Sequence, residues 1–457
     1  MINVDMKLHR HILLSDIQEQ KLFVLLKINP VEDITFKRQP FRIVFAVDTS
    51  GSMRDYTDTD KKCDELINES SVALPKKTKI DVLVEYLINL FDSQIFKNGD
   101  KLAIVQFNDA AKVLVPFTDA ENKEVLIDAV KNLKECSGGT NTGLAMKTAL
   151  ELFSRENGNG KMFLLTDGIT FDEDLTLEMS EEFAKNKIPV ITIGIGNDWN
   201  FNFINLLADR TGGKVLYALS DNGNAVYPPY IKGGELTNVL ISELNRSADE
   251  IFTNIILNIN TIKGVDIKRI SKVYPVQTEL NLSRKPYLLG NAEARDITVF
   301  LIEISVFQNS AGKVRLAQFN LTYEVGGIPY RQEGPIIDVT AEFVKEYDHS
   351  LNLNIDNEVM QYVQQRNLSS MADRISEESK TNINKAVEIL KAAMQSVGVI
   401  NNIPVMSVLN NAVNELKNKK TISESTLAAL KVGVKTHTIK YGQEIFTDEE
   451  IKKITGI

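Results

Sequence analysis

The chain has 457 residues, of which 43% are hydrophobic and 25% are charged, a composition typical of globular proteins with about two to four domains at this length. Its net charge of −9 argues against nucleic acid as the main partner, because phosphate binding needs a basic surface. Two cysteines are too few for a disulfide scaffold. No apolar run reaches the roughly 18 residues of a spanning helix, and the N-terminus lacks a signal-peptide core, so we expect a cytoplasmic protein without a membrane span.

Residues 1–40 contain two predicted strands. Val4 to Leu13 and Gln18 to Ile28 are rich in alternating apolar residues, and the segment closes between Pro30 and Pro40. Two strands cannot bury a sheet face alone, so we expect them to pair with strands from elsewhere in the chain. His9 and His11 share a strand face without a further ligand nearby, and we interpret them as solvated residues rather than a metal pair.

Residues 41–248 alternate between predicted strands and helices, which is typical of a mostly parallel sheet covered on both faces. The first strand contains the apolar run Ile43 to Val47, as expected for a strand buried on both faces. The short turn between Phe107 and Lys112 predicts an antiparallel hairpin. The other predicted elements are strands over residues 162–165, 189–195 and 214–218 and helices over residues 80–96, 122–133, 144–153, 178–186, 201–210 and 235–249.

Oxygen-bearing side chains follow the first and fourth of these six strands. Asp48, Ser50 and Ser52 occupy alternate positions after the first strand, and Asp167 follows the fourth. In a doubly wound sheet, ligands bind where the carboxyl ends of such strands meet. We expect both aspartate side chains to lie outside the apolar core. Since Mg2+ prefers oxygen ligands, the pattern predicts a magnesium site, with Mn2+ or Ca2+ as alternative ions.

The three loops resemble those of the von Willebrand factor A domain, called the A domain below. The motifs are DTSGS at residues 48–52, GGTNTG at residues 138–143 and LLTDG at residues 164–168, in the family's order. The resemblance implies a metal-ion-dependent adhesion site (MIDAS) at five matching positions: Asp48, Ser50, Ser52, Thr140 and Asp167. It further implies a protein-binding module rather than an enzyme, whose partner offers an acidic side chain to the metal.

The remaining half of the chain changes from predicted strands to predicted helices. Alternating runs such as residues 251–259, 297–306 and 314–325 are typical of an antiparallel sandwich. From residue 350 the apolar spacing is helical, with predicted helices over residues 358–371, 377–397, 407–417 and 423–432.

We therefore predict an α/β chain with a doubly wound, mostly parallel, six-stranded A domain inserted in an antiparallel β-sandwich and followed by a C-terminal helical region. The A domain is assigned to residues 41–248, the sandwich to residues 1–40 and 249–345, and the helical region to residues 346–457.

This domain order resembles stand-alone bacterial A-domain proteins, some of which carry the label calcium-activated channel-like. The segments at residues 194–200 and 211–213 add to that resemblance. It implies an intracellular adaptor or scaffold. The alternatives are a regulatory subunit of a kinase/phosphatase signalling cassette, of an AAA+ chelatase-like complex or of a membrane channel. Residues 54–79 form an insertion where the family usually passes quickly to its first helix. They lack the spacing of an EF-hand, and we interpret them as a solvated loop that selects partners.

Two catalytic interpretations are disfavoured by the sequence. A serine hydrolase needs a histidine base near its serine, and residues 41–220 contain no histidine. Gly138 and Gly143 have the spacing of a phosphate-binding loop, but Leu144 stands where the phosphate-binding lysine would be. We expect Cys63 and Cys136 to be free thiols.

Overall fold

The computed structural model describes residues 2–29, 40–56, 77–133, 135–156, 158–167, 170–195, 201–219, 230–232, 236–248, 250–283, 285–293, 296–325, 328, 330–345 and 355–442. The chain forms two compact units, one made of Met1–Lys37 with Asp249–Ile457 and the other of Arg38–Ala248. The second unit is therefore inserted in the first, which confirms the predicted discontinuous architecture. Within the described ranges, every helix is too short or too polar to cross a membrane.

The first three strands belong to the discontinuous unit: β1 (Asn3–Leu8), β2 (Ile12–Leu14) and β3 (Glu19–Asn29). The prediction of one strand from Val4 to Leu13 is wrong, because β1 pairs with β3 while β2 joins the opposite sheet. The predicted solvation of His9 is also wrong. Its side chain is buried, and its Nδ1 accepts a hydrogen bond from the Phe23 N–H at 3.0 Å.

The described residues of the inserted unit form seven strands and six α-helices. They are β4 (Phe41–Asp48), α1 (Lys79–Asp92), β5 (Lys101–Phe107), β6 (Ala111–Asp119), α2 (Lys123–Lys131), α3 (Thr142–Phe153), β7 (Asn159–Thr166), α4 (Glu173–Lys185), β8 (Val190–Ile195), α5 (Phe201–Thr211), β9 (Lys214–Leu219), β10 (Tyr230–Lys232) and α6 (Leu236–Ala248). The sheet order is β10-β9-β8-β7-β4-β5-β6, with only β6 antiparallel to its neighbour. The six predicted strands and the predicted hairpin are confirmed, and β10 adds a short edge strand.

Strand β4 lies inside this sheet, between β7 and β5, and is buried on both faces. Phe45 packs against Phe91 and Phe163 in the core shared with α1, α2 and α6. Val44 points to the other core, which includes Met162 and the side chains of α3, α4 and α5. Its continuous apolar run is thus explained by two helix layers, one on each face, as in other parallel sheets.

The sandwich is completed by seven strands after the inserted unit: β11 (Glu250–Thr261), β12 (Val265–Tyr274), β13 (Thr278–Glu279), β14 (Tyr287–Glu293), β15 (Thr298–Phe307), β16 (Gly312–Val325) and β17 (Gln332–Val344). One sheet has the order β1-β3-β15-β12-β13 and the other β14-β11-β16-β17-β2. Their facing apolar side chains share one core, to which Val24 and Ile302 contribute from the first sheet and Leu257 and Phe319 from the second. The predicted sandwich is confirmed, with β2 and β17 as a parallel pair within it.

Four helices follow the sandwich: α7 (Asn357–Thr381), α8 (Ile383–Ile400), α9 (Ile403–Lys419) and α10 (Glu424–Thr436). Helix α7 covers the outer face of the first sheet, where Tyr362 joins a cluster with Leu25 and Leu301. The predicted break between residues 371 and 377 is wrong, because Ala372 and Ile375 are buried and keep the helical spacing. The chain breaks instead at residue 382, an asparagine whose side chain caps α8.

Candidate metal centre

Two aspartates lie at the same edge of the parallel sheet. Strands β4 and β7 are neighbours, with Val47 opposite Leu165. Asp48 is the last residue of β4, and Asp167 directly follows β7, so both leave the sheet at its carboxyl end. Contrary to the sequence-based expectation, both side chains are buried, since Asp48 is 0% exposed and Asp167 is 4% exposed.

A chain of hydrogen bonds joins these aspartates to the two serines of the DTSGS loop. Asp48 accepts hydrogen bonds from the Ser50 N–H at 2.8 Å and from the Thr166 hydroxyl at 2.6 Å. The Ser52 hydroxyl donates to Asp167 Oδ1 at 2.8 Å, and the hydroxyl oxygens of Ser50 and Ser52 are 3.1 Å apart. Four of the five predicted ligands therefore form one cluster.

The fifth predicted ligand, Thr140, lies in a loop bonded to the DTSGS loop. The Gly51 N–H donates to the Gly138 carbonyl at 3.0 Å, and the Ser137 N–H donates to the Thr49 carbonyl at 2.9 Å. Gly138 has a φ of +78°, which a residue with a Cβ atom rarely adopts. Thr140 is buried in this loop, and its backbone carbonyl accepts a hydrogen bond from the Phe171 N–H at 2.8 Å.

Asp172 fixes the start of α3, which follows the Thr140 loop. Its carboxylate accepts hydrogen bonds from the Gly143 and Leu144 N–H groups at 3.0 Å each, and from the Thr170 hydroxyl at 2.7 Å. A Cβ atom on Gly143 would lie 2.6 Å from the Thr176 backbone nitrogen, so glycine allows α4 to pack closely here. Asp172 thus connects the loop after β7 to the loop that carries Thr140.

The electrostatics of the cluster are dominated by burial. Burial raises the pKa of Asp48 to about 6, opposed by the Thr166 hydrogen bond and reinforced by the charge of Asp167. The Nζ of Lys79 lies 2.7 Å from Asp167 Oδ2, and both side chains are less than one-tenth exposed. The Lys79 ammonium group therefore pairs with the buried carboxylate of Asp167.

Three contributors to the centre were missed by the sequence analysis: Lys79, Thr166 and Asp172. A local signal existed for Lys79, because Thr78 and Asp81 have the spacing of a capping box, which predicts that α1 begins at Lys79. Nothing local could have paired Lys79 with an aspartate 88 residues away. The contacts of Asp172 with α3 are equally non-local.

The donor set fits a hard divalent cation. It combines two carboxylates with hydroxyl groups, which are the oxygen ligands that Mg2+ and Ca2+ prefer. Across the part of the chain that the structure describes, no group of three or more His, Cys, Asp or Glu side chains is placed to hold a metal. Cys136 is buried and free, whereas Cys63 lies outside the described residues.

Sequence comparison identifies the family of the inserted unit. The sequence model of the von Willebrand factor type A domain matches residues 43–227. A second model with the same description matches residues 367–445, which cover part of α7 and the helices α8, α9 and α10. The first matched range contains the three loop motifs and most of the parallel sheet, whereas the second range contains helices.

Curated relatives match over limited regions. An uncharacterized protein of Synechocystis sp. (sll0103) is 27% identical over 189 residues, covering 40% of this chain and 38% of its own length. Human vitrin is 30% identical over 121 residues, covering 26% of this chain and 17% of vitrin. The chain therefore spans well under half of the length of these relatives.

Solved structures match over nearly the whole chain. A von Willebrand factor type A protein from Catenulispora acidiphila has a TM-score of 0.75 at 17% identity, covering 96% of this chain and 97% of that one. The ArnB paralog VWA2 from Sulfolobus acidocaldarius has a TM-score of 0.58 at 14% identity, with coverage of 96% and 99%. At these identities the likeness shows the fold of both units.

Domains of this family commonly serve as protein-interaction modules, and many bind a divalent metal at a MIDAS. The matching loops, the sheet order and the structural likeness agree on the same assignment. The chain contains a von Willebrand factor type A domain.

Proposed function

We propose that residues 41–248 form a Mg2+-dependent protein-binding module and that the chain acts as an intracellular bacterial adaptor or scaffold. The observation that carries the proposal is the hydrogen-bonded cluster of Asp48, Ser50, Ser52 and Asp167 at the carboxyl ends of β4 and β7. Every side-chain donor atom in this cluster is an oxygen, the ligand type that Mg2+ prefers. Mn2+ and Ca2+ share that preference and are the alternative ions.

In this proposal the hydroxyl groups of Ser50, Ser52 and Thr140 hold the metal, while Asp48 and Asp167 supply negative charge directly or through water. The bound metal would supply a positive charge that attracts a carboxylate of a protein partner. Two aspartates balance a divalent cation without exceeding it, so an incoming Asp or Glu is not repelled. The buried hydrogen bonds hold the donor groups in place before the metal arrives, which lowers the cost of ordering them.

The surface beside the Thr140 loop supports a protein partner. Phe171 is 75% exposed, and its N–H donates to the Thr140 carbonyl at 2.8 Å, so an aromatic side chain lies next to the proposed metal site. Exposed aromatic residues are frequent anchors in protein interfaces. We therefore expect the partner to place an apolar side chain near its metal-binding Asp or Glu.

The proposal involves binding without turnover. A domains are generally interaction modules. The sequence also has no histidine between residues 38 and 248 that could serve as a base for Ser50 or Ser52.

Isothermal titration calorimetry with Mg2+ tests the metal site. Asp48→Asn and Ser52→Ala should each abolish or strongly weaken binding, because each removes an oxygen donor or its charge. Asp109→Asn is the matched control, since the exposed Asp109 carboxylate lies on the same loop cluster, where it accepts a hydrogen bond from the Gly139 N–H at 2.9 Å. Circular dichroism should show native folding in all three variants. Unchanged Mg2+ binding in both site variants would refute the metal assignment.

The partner is sought by affinity capture from the source cell with Mg2+ and with EDTA, followed by mass spectrometry. A protein captured by the wild type only with Mg2+, and not by Asp48→Asn, would support the binding module. If the same protein is captured equally with Mg2+ and with EDTA, and equally by the wild type and by Asp48→Asn, the binding does not depend on the metal.

A further inference from the structure

Lys79 places a buried cation inside the proposed metal centre. Its Nζ donates to Asp167 Oδ2 at 2.7 Å, and the side chains of Lys79 and Asp167 are 9% and 4% exposed. The other oxygen of the same carboxylate, Oδ1, accepts the hydrogen bond from Ser52. Both oxygens of Asp167 are therefore engaged within the protein.

The position of Lys79 is fixed by its backbone. It is the first residue of α1, and its N–H donates to the Asp55 carbonyl at 3.0 Å. Thr78, directly before it, forms a capping box with Asp81 and a β-bridge with Tyr56. These backbone contacts join the two ends of the segment between the DTSGS loop and α1. They hold Lys79 at a position from which its side chain reaches Asp167.

This placement is electrostatically unfavourable without Asp167. The N-terminus of a helix carries a partial positive charge, which repels a cation. Burial also removes the ammonium group from water, a cost that only a close negative partner offsets. Lys79 is therefore held at the centre chiefly by its ion pair with Asp167.

We infer that Lys79 is an internal counter-ion of the MIDAS, which neutralises Asp167 in the metal-free protein and must leave its carboxylate before a divalent cation can bind there. The inference rests on the proposed function. An ammonium group and a divalent cation at one carboxylate repel each other, and they compete for the same oxygen atoms. Lys79 thereby lowers the affinity of the site for metal and keeps the empty site hydrogen-bonded, so metal occupancy depends on Mg2+ concentration.

Calorimetry with Mg2+ on Lys79→Met tests this inference, with Lys79→Gln as a second variant should the first fail to fold. Removing the competing charge should tighten Mg2+ binding about tenfold or more in both variants. Lys77→Met is the matched control. Lys77 lies two residues away on the same approach to α1, but it is exposed and pairs with Glu85. Its substitution should leave the affinity for Mg2+ unchanged.

Thermal unfolding in EDTA and in Mg2+ supplies a second readout. In EDTA, Lys79→Met should melt below the wild type, because Asp167 loses its buried partner. In saturating Mg2+ this difference should shrink or reverse, because the metal now supplies the positive charge. A lysine with a merely structural role would lower the melting temperature equally under both conditions.

The outcomes separate the inference from the proposed function. Mg2+ binding by a Lys79 variant that is tighter than that of the wild type supports both. Equal Mg2+ affinity of the wild type and the Lys79 variants overturns the inference and leaves the metal site standing. If neither the wild type nor the Lys79 variants bind Mg2+, the proposed metal site is refuted, and the competition is refuted with it.

Discussion

The carboxylate of Asp172 is the side-chain cap of α3, although Asp172 itself directly precedes α4. Asn141, at the N-cap position of α3, makes no side-chain cap hydrogen bond, whereas Asp172 accepts hydrogen bonds from the Gly143 and Leu144 N–H groups. Asp172→Ala removes both acceptors and leaves two N–H groups at the helix start without their partner. The Thr170 hydroxyl loses its closer acceptor as well and keeps the Thr140 carbonyl at 3.3 Å.

The expected loss follows from these contacts. Losing a helix cap costs about 1–2 kcal/mol, and losing a negative charge at a helix N-terminus costs about 0.3–1 kcal/mol more. We therefore expect Asp172→Ala to lower the free energy of unfolding of the inserted unit by about 1–3 kcal/mol. For a unit of this size, each kcal/mol lowers the melting temperature by roughly 2–4 °C, so the melting temperature should fall by about 2–12 °C.

Differential scanning calorimetry in EDTA is the assay, since it separates this effect from metal binding. Asp172→Asn keeps one acceptor oxygen, so its free energy of unfolding should fall by about half as much as that of Asp172→Ala. Asp174→Ala is the control, because Asp174 is an exposed acidic residue in the first turn of α4. A surface substitution of this kind usually changes the free energy of unfolding by less than about 0.5 kcal/mol. If Asp172→Ala melts within 1 °C of Asp174→Ala, the assignment of Asp172 as the cap of α3 is wrong.

Two further predictions concern buried titratable groups. Burial, with a smaller contribution from Arg10, lowers the pKa of His9 to about 4, so the folded state holds neutral His9 while the unfolded state is protonated below about pH 6.5. The stability that His9 contributes is full above about pH 6.5 and is lost as the pH falls towards 4. Urea unfolding should show that the free energy of unfolding falls between pH 7 and pH 5 by about 2 kcal/mol less in His9→Asn than in the wild type. An equal fall in both proteins would contradict this. Burial raises the pKa of the Cys136 thiol to about 11, so in a Cys63→Ser variant a thiol reagent at pH 8 should react in urea but not under native conditions, whereas rapid native labelling would show that Cys136 is accessible.

Strand β4 was predictable because its signal is local. The apolar run before Asp48 has no polar face, and only a strand between two helix layers can bury such a run. The five proposed MIDAS positions could be selected from the sequence for the same reason, since each motif lies within a few consecutive residues. Recognition of the family then supplied what spacing alone leaves open, namely that the three loops meet.

The errors arise where distant parts of the chain decide the structure. The residues around His9 look like one strand with the residues before them, and only the parallel pairing of β2 with β17, more than 300 residues later, shows that the chain changes sheet. Helix α7 continues through Ala372 and Ile375 because the side chains of both residues are buried within the discontinuous unit. Neither partner is visible in the local pattern.

The burial of Asp48 and Asp167 has a consequence for the whole inserted unit. An exposed carboxylate would cost little, but burial penalises the charged form and is the main cause of the raised pKa of Asp48, to which the negative charge of Asp167 adds. One ammonium group, from Lys79, offsets only part of the charge. A divalent cation would offset it fully, and any ligand that binds only the folded state stabilises it by an amount that grows with the logarithm of its concentration. The same buried charges that make the empty centre costly would therefore make the stability of the A domain rise with Mg2+ concentration.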